Sequence, residues 1–491
     1  MNGPVEVTLL TEGTYPYVHG GVSVWCDQLV QGMPDVRFHV LGITGSGREP
    51  QVWKLPPQIA SVSSVPLWGR TPEGRAPRGR ALRRFLAGYE RFLLALLDAD
   101  FEHYFADELY ELAEFALTGG SLTAALRSEG ALRSLQSLWQ RPFLATHAAR
   151  PTVQDALDAT DLLEHALRPL AVQPPGRGVA HVVTGGLAVL PGLTARRFHG
   201  VPLLLSEHGI YLRERYLSYR AAPYRWPVKA LILGFFRLLA TEGYRGADLI
   251  TPCNRYNRRW EERGGCDPQR IRTVYNGVDP ALFPYAGPEP EVPTLSWAGR
   301  VDPIKDLETL IRAFALVRAQ ISDVRLRLFG APPVGGEAYQ ERCRALAVEL
   351  GVADGVVFEG RIDTVRHAYA AGSVVMLSSI SEGFPFSLIE AMACGRATVS
   401  TDVGGVREAV ADTGLVVPPR EPEAMARAAL DLLRDPRLRR ELGWAARERV
   451  IEQFTLGRTV ATFRSFYDGL LEDPRTMWSP AAGPDLARCY A

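Results

Sequence analysis

The chain has 491 residues, too many for one ordinary domain and enough for two or three with cores of their own. Lys plus Arg equals Asp plus Glu at 55 each, so the formal net charge is zero. That balance excludes a nucleic-acid binder held by bulk charge and leaves room for a local cationic pocket. Hydrophobic residues at 46% and charged residues at 22% are the proportions of a globular enzyme.

Residues 5–10 read as a buried first strand, followed by a Gly-containing loop that ends in Gly20-Gly21, a helix over 22–33 and a strand over 38–43. This opening is how an open parallel sheet starts. From about 70 to 175 the strand signals vanish. Apolar residues recur at three and four over 81–97, 107–117 and 153–167, which predicts amphipathic helices inserted into the first domain. Short strands resume at 180–184, 202–206 and 249–252. Residues 280–293 contain five prolines and little periodicity, the best interdomain joint in the chain. Beyond it, strands over 295–298, 325–329, 356–359, 374–377 and 398–401 alternate with helices over 306–320, 339–350 and 387–394, and 422–468 is helical. Two alternating halves predict two doubly wound sheets, with ligands at the C-terminal ends of their strands.

The six cysteines, Cys26, Cys253, Cys266, Cys343, Cys394 and Cys489, are scattered without zinc spacing, which predicts reduced thiols. The N-terminus has no basic region, and its first apolar run is too short for a signal-peptide core. The longest apolar stretch, 230–236, is broken by Arg237 and falls well short of the ~20 residues of a membrane span. The expected location is the cytoplasm, with peripheral attachment to the inner face of a membrane left open.

Four segments could carry chemistry. In the first, Ser381-Glu382-Gly383-Phe384-Pro385-Phe386-Ser387-Leu388-Ile389-Glu390 follows a strand and opens a helix. Free amides at such a start can hold an anion, and the two carboxylates can accept hydrogen bonds from sugar or ribose hydroxyls. The bland alternative is that Ser387 and Glu390 form an S-x-x-E capping box. In the second, Gly299-Arg300-Val301-Asp302-Pro303-Ile304-Lys305-Asp306, Arg300 and Lys305 could clamp a diphosphate, or could pair with Asp302 and Asp306 as loop charges. Lys occurs only at 54, 229 and 305 in this Arg-rich chain, which argues against an incidental lysine there. In the third, Glu207-His208-Gly209 ends a strand, and His208 could touch a sugar hydroxyl or simply pack. Arg213, Glu214 and Arg215 read first as a solvated face. In the fourth, Gly20 and Gly21 offer amides to a phosphate or to an acceptor, or merely turn the chain; they do not belong to a G-x-G-x-x-G fingerprint. No D-x-D pair sits where it would suggest a metal-held diphosphate, so cationic side chains are the expected substitute, and neither metal nor cofactor is expected.

In this order, the Gly-Gly loop, the His208 turn, Asn276-Gly277-Val278-Asp279, Gly299-Arg300 with Lys305, and Glu382 with Glu390 resemble the large retaining family of GT-B glycosyltransferases. Glu12-Gly13-Thr14-Tyr15-Pro16-Tyr17 with Gly20-Gly21, and Glu207-His208-Gly209-Ile210-Tyr211, look like its PelF subgroup, as does the helical insertion. Ala397 departs from the proline usual after the Gly395 turn. The resemblance implies an α/β GT-B fold: two doubly wound Rossmann-like domains facing across a cleft, with an acceptor-side domain over 1–283, a nucleotide-sugar domain over 284–455 and a C-terminal helix and tail over 456–491 crossing back.

It further implies that Arg300 and Lys305 hold the diphosphate, that Glu382 with the amides of Gly383 and Phe384 positions the donor sugar, and that Glu390 binds the ribose. His208 would sit near the anomeric centre, and Gly360 and Arg361 against the base. Ser387, Leu388, Gly20 and Gly21 complete the implied donor site. The implied donor is UDP-glucose and the acceptor a glycan or polysaccharide in exopolysaccharide synthesis, with a membrane-bound synthesis complex as a candidate partner and no nucleic acid. The alternatives are a GT-B sugar-nucleotide epimerase, a phosphorylase needing a lysine for pyridoxal phosphate, and a non-catalytic scaffold of a polysaccharide export complex.

Overall fold

Strands and helices alternate through most of the computed structural model, which describes residues 4–69, 74–141 and 150–478. Contacts divide the chain into two units. The first comprises Met1–Pro252, Arg258–Arg272 and Phe463–Ala491, the second Cys253–Asn257 and Thr273–Thr462.

The first unit's sheet contains β1 (Val5–Glu12), β2 (Val36–Thr44), β3 (Ile59–Pro66), β4 (Val179–Val182), β5 (Leu203–Glu207) and β6 (Leu249–Pro252). All pair in parallel, in the order β3-β2-β1-β4-β5-β6. The central strands are legible because burial on both faces demands a continuous apolar run. The sequence reading lacks β3, an edge strand with Ser61, Ser63 and Ser64 and a mostly exposed flank, which shows no such run.

Between β3 and β4 lie the helices Gly79–Leu97, Tyr104–Leu117, Leu122–Leu126, Glu129–Trp139 and Val153–Leu167. Phe85, Tyr89, Phe92, Leu109, Leu135 and Leu163 from these helices join Leu10, Val182 and Leu205 of the sheet in one buried cluster. The insertion therefore extends the first unit's core. Within the expected insertion, residues 70–73 and 142–149 lie outside the described residues, as do 479–491 of the expected tail.

The second unit's sheet contains β7 (Thr294–Ala298), β8 (Arg325–Phe329), β9 (Val356–Gly360), β10 (Val374–Leu377), β11 (Ala397–Thr401) and β12 (Leu415–Val417), in the parallel order β12-β11-β10-β7-β8-β9. The Pro-rich stretch expected as a joint belongs inside this unit. Ala286 N–H donates to Cys394 O at 3.0 Å, and the Arg396 guanidinium donates to Gly287 O and Pro288 O at 3.1 and 3.0 Å. These hydrogen bonds tie the prolines to the unit's surface, and the second unit takes in Thr273–Thr462 together with Cys253–Asn257. The helix Leu456–Glu472 begins in the second unit and belongs to the first from Phe463 onward.

Each sheet reverses its winding once, between β1 and β4 and between β7 and β10. At such a point the loops leaving adjacent strands run to opposite faces and open a crevice at the strands' C-terminal ends. Among the described residues, no helix is long and apolar enough to cross a membrane, and the five described cysteines are buried and outside any disulfide.

Candidate active site

In the second unit the loop after β7 turns sharply. The Asp302 carboxylate accepts from Ile304 N at 3.0 Å, shaping the short turn Pro303–Lys305. Asp306 adopts a left-handed conformation, φ 47°, and caps the helix Leu307–Arg318 by accepting from Thr309 N and Thr309 Oγ1 at 3.3 and 2.7 Å. The loop after β10 is stitched to this turn. Ile380 N–H donates to Ile304 O at 2.9 Å and Ser378 Oγ to Lys305 O at 2.7 Å. Lys305 Nζ then reaches Glu382 Oε1 at 2.5 Å, and the same oxygen accepts from Ser379 Oγ at 2.6 Å. Lys305 and Glu382 thus meet across the winding reversal between β7 and β10, 77 residues apart in sequence. Arg300, on the same loop as Lys305, is half exposed, with its Nε 3.4 Å from Asp302 Oδ2.

Glu390 lies on the helix Phe386–Ala393 and accepts from Tyr369 Oη at 2.5 Å. Burial pushes its pKa up to about 7. Ser387 and Glu390 do not form a capping box. The helix begins at Phe386 with Pro385 at its cap, so Ser387 is already helical and Glu390 is bonded to Tyr369 instead. The side chains of Phe384 and Leu388 are core, 3% and 2% exposed, which leaves only their backbones to meet a ligand. The Phe384 ring packs 4.9 Å from Tyr275 and 5.1 Å from Phe454. Gly383 and Ser387 are half-buried. At the end of β9, Gly360 is left-handed at φ 73°, its carbonyl accepts from Gly330 N at 2.8 Å, and Arg361 beside it is exposed.

In the first unit, His208 follows β5, and its half-buried ring packs edge-on against Trp25 with centroids 4.6 Å apart. Burial lowers its pKa to about 4, so the imidazole is neutral at pH 7. Gly20 and Gly21 are exposed at the start of the helix Gly21–Gln31, with Gly20 extended at φ 176°. Glu12, Glu207 and Tyr211 stand in the sequence motifs quoted above, but sequence reasoning gave them no role in building this edge. Glu12, at the end of β1, accepts from Tyr211 Oη at 2.7 Å and from Leu187 N at 2.6 Å, across the reversal between β1 and β4, and burial raises its pKa. Gly186 admits that carboxylate, since a Cβ there would lie 2.3 Å from Glu12 Oε2. Glu207 is 1% exposed, accepts from Tyr244 Oη at 2.9 Å and is hydrogen-bonded to the equally buried Glu261. Burial raises both carboxyls, so at least one of the two keeps its proton near neutral pH. The available signal was positional: Glu12 ends a strand before Gly13, and Glu207 immediately precedes His208.

Of the expected donor set, Lys305 and Glu382 are in direct contact, Arg300 shares the Lys305 loop, and Glu390 hangs from Tyr369 on the helix that the Glu382 loop opens. His208, Gly20 and Gly21 belong to the first unit.

Residues 5–269 match the family described as domain of unknown function (DUF3492), and residues 292–435 match glycosyl transferases group 1. The D-inositol 3-phosphate glycosyltransferase 2 of Catenulispora acidiphila is 34% identical over 230 residues, covering 43% of this chain and 54% of that protein. The chain therefore spans about half the length of the curated relatives it matches first. The sucrose-phosphate synthase (tll1590) of Thermosynechococcus elongatus superposes with a TM-score of 0.63 at 20% identity, covering 95% of this chain and 99% of that one. Anabaena Alr3699/HepE, solved in complex with UDP-glucose, gives 0.60 at 16% identity, covering 94% and 99%.

Proposed function

The chain belongs to the family described as domain of unknown function (DUF3492) and carries a group 1 glycosyl transferase domain on a GT-B fold, and from that membership we propose that it is a retaining hexosyltransferase acting on a nucleotide sugar. The observation that carries this reading is the contact between Lys305 and Glu382 at the winding reversal between β7 and β10. A cation and a carboxylate are held there by a shared network, where a doubly wound sheet binds its ligand. The donor is UDP-glucose, a choice supported by the UDP-glucose complex of a protein with the same fold, and the acceptor is a glycan or polysaccharide in exopolysaccharide synthesis.

In this reading Lys305 and Arg300 hold the diphosphate and stabilise its negative charge as it leaves, work done by side chains rather than by a metal ion. Glu382 accepts hydrogen bonds from the sugar, and the Gly383 and Phe384 amides donate to it. Glu390 accepts the ribose hydroxyls, and Gly360 and Arg361 lie along the base. The acceptor hydroxyl oxygen forms its bond to the anomeric carbon on the face from which the diphosphate oxygen departs. Its proton passes to a donor phosphate oxygen, so the configuration is retained. His208, neutral at pH 7, contributes a hydrogen bond and not a positive charge.

Calorimetry with UDP tests the site directly. Lys305→Ala should weaken UDP binding, and equal affinity in the variant and the wild type would remove the assignment. Glu382→Ala should keep the fold and lose transfer on the order of a hundredfold. A new UDP-sugar formed from UDP-glucose without an acceptor would point to an epimerase instead.

A further inference from the structure

The loop carrying Glu382 is gripped by its carbonyl oxygens. A Cβ at Gly404, itself left-handed at φ 56°, would lie 1.9 Å from Glu382 O, so that oxygen sits directly against the Gly404 backbone. Gly383 O accepts from Asn254 Nδ2 at 2.9 Å and from Gly405 N at 2.8 Å. Phe384 O accepts from Asn276 Nδ2 at 2.8 Å. Asn254 and Asn276 are 0% and 4% exposed, so both amide groups are buried and leaving either donor unpaired is costly.

Holding these carbonyls in place has a consequence for the amides. In a trans peptide the C=O and the following N–H point to opposite sides. Fixing the oxygens of Glu382 and Gly383 therefore fixes the N–H groups of Gly383 and Phe384 in the other direction. Pro385 has no N–H, so these two amides are what the loop can offer before its helix begins.

We propose that Asn254 is a positioning residue for the donor sugar. By holding the Gly383 carbonyl together with Gly405, it aims the Gly383 and Phe384 amides at the sugar, a role that rests on the transferase reading above. Asn254 also has a structural task that can be separated from this one. Its Oδ1 accepts from Asn257 N at 2.7 Å, capping the helix Arg255–Arg263. Asn254→Ser keeps an N-cap oxygen but is too short to reach Gly383 O. Asn254→Asp keeps the length and the acceptor but, when ionised, cannot donate. Gly405 has no freedom to compensate, because a Cβ there would lie 2.8 Å from Asn254 Cβ and 2.9 Å from Gly383 O.

The experiment compares wild type, Asn254→Ser and Asn254→Asp in the full chain. Hydrogen–deuterium exchange is followed in the peptide covering 380–390, calorimetry is run with UDP and with UDP-glucose, and donor kinetics are measured. Circular dichroism identifies the variants that fold. The expected result is faster exchange in that peptide, unchanged UDP affinity, and kcat/KM for UDP-glucose lower by roughly tenfold to a hundredfold. Equal weakening of UDP and UDP-glucose would reduce Asn254 to a structural residue and overturn the proposal. Wild-type exchange and kinetics in a folded variant would overturn it as well. If the wild type binds no nucleotide sugar, the transferase reading falls, while exchange in the loop still decides the carbonyl grip: unchanged exchange refutes it.

Discussion

A carboxyl group that loses its water without gaining a cation keeps its proton, and Glu390 is in that position: burial raises it from 4.5 to about 7, with only the Tyr369 hydroxyl in partial compensation. The sign of the resulting linkage is fixed. Between 4.5 and 7 the folded state binds the proton that the unfolded chain releases, so stability is highest below 4.5 and falls as pH rises toward 7. Glu390→Gln keeps an acceptor for Tyr369 and cannot ionise. Denaturant melts should therefore show the variant ahead of wild type at pH 8 by on the order of 2 kcal/mol, with the gap closing toward pH 4.5. A gap independent of pH would mean that burial leaves the Glu390 pKa where it is in the unfolded chain. On the proposed role, ribose hydroxyls donate to the charged form, so saturating UDP should flatten the wild-type slope. Sequence placed Glu390 at the site but could not supply Tyr369, whose hydroxyl arrives from a helix 21 residues away and belongs to no local pattern. Lys305 and Glu382 were each legible, because lysine is rare in this chain and both residues follow a strand, but their direct contact was not: the sequence offered Asp302 and Asp306 as the partners of Lys305.

At the scale of elements, apolar runs announce strands that are buried on both faces, while edges and short closures stay silent. β3 was missed for its exposed serines, and β12 because three residues carry no period. Caps were read too locally. The S-x-x-E at 387–390 lies inside a helix, whereas the helix Val153–Leu167 carries a true capping box between Thr152 and Asp155. The strand ends around the site show a constraint of the same kind. Gly330, at φ 141°, would place a Cβ 1.7 Å from Gly299 O. Neither backbone can retreat, because Gly299 N–H donates to Phe329 O at 3.0 Å and Gly330 N–H to Gly360 O at 2.8 Å. Gly330→Ala should therefore cost roughly 3 kcal/mol or more, read as a lower denaturant midpoint with an unchanged m-value. Gly360→Ala is the control. It has a left-handed φ of 73° but open space where its Cβ would go, and should cost only about 1–2 kcal/mol. Equal costs would mean that backbone strain, and not the contact with Gly299, sets the requirement.

The whole molecule depends on a chain that leaves and re-enters its first unit, a feature that local patterning cannot reveal because it is a matter of which distant segments share a core. The helix Leu456–Glu472 supplies Phe463 and Tyr467 to that unit. Phe463, 2% exposed, meets Trp25 edge-on at 5.2 Å and stacks on His181 at 5.5 Å. The Tyr467 hydroxyl and His181 Nδ1 are 2.7 Å apart, and His181 Nε2 continues to Ser206 Oγ at 2.7 Å. Trp25 in turn packs against His208 at 4.6 Å. Phe463 thus supports the expected position of His208 through one intervening ring, that of Trp25. Phe463→Ala should remove about 3–5 kcal/mol from the first unit. UDP affinity at 25 °C should hold, because Lys305, Glu382 and Glu390 are built entirely within the second unit. Turnover should fall nonetheless, as Trp25 relaxes and His208 loses the surface that fixes its ring. Calorimetry with UDP alongside a transfer assay separates the two effects. If affinity and turnover fall together, the nucleotide site depends on the first unit's core; if neither changes, His208 does not need Trp25 to be placed.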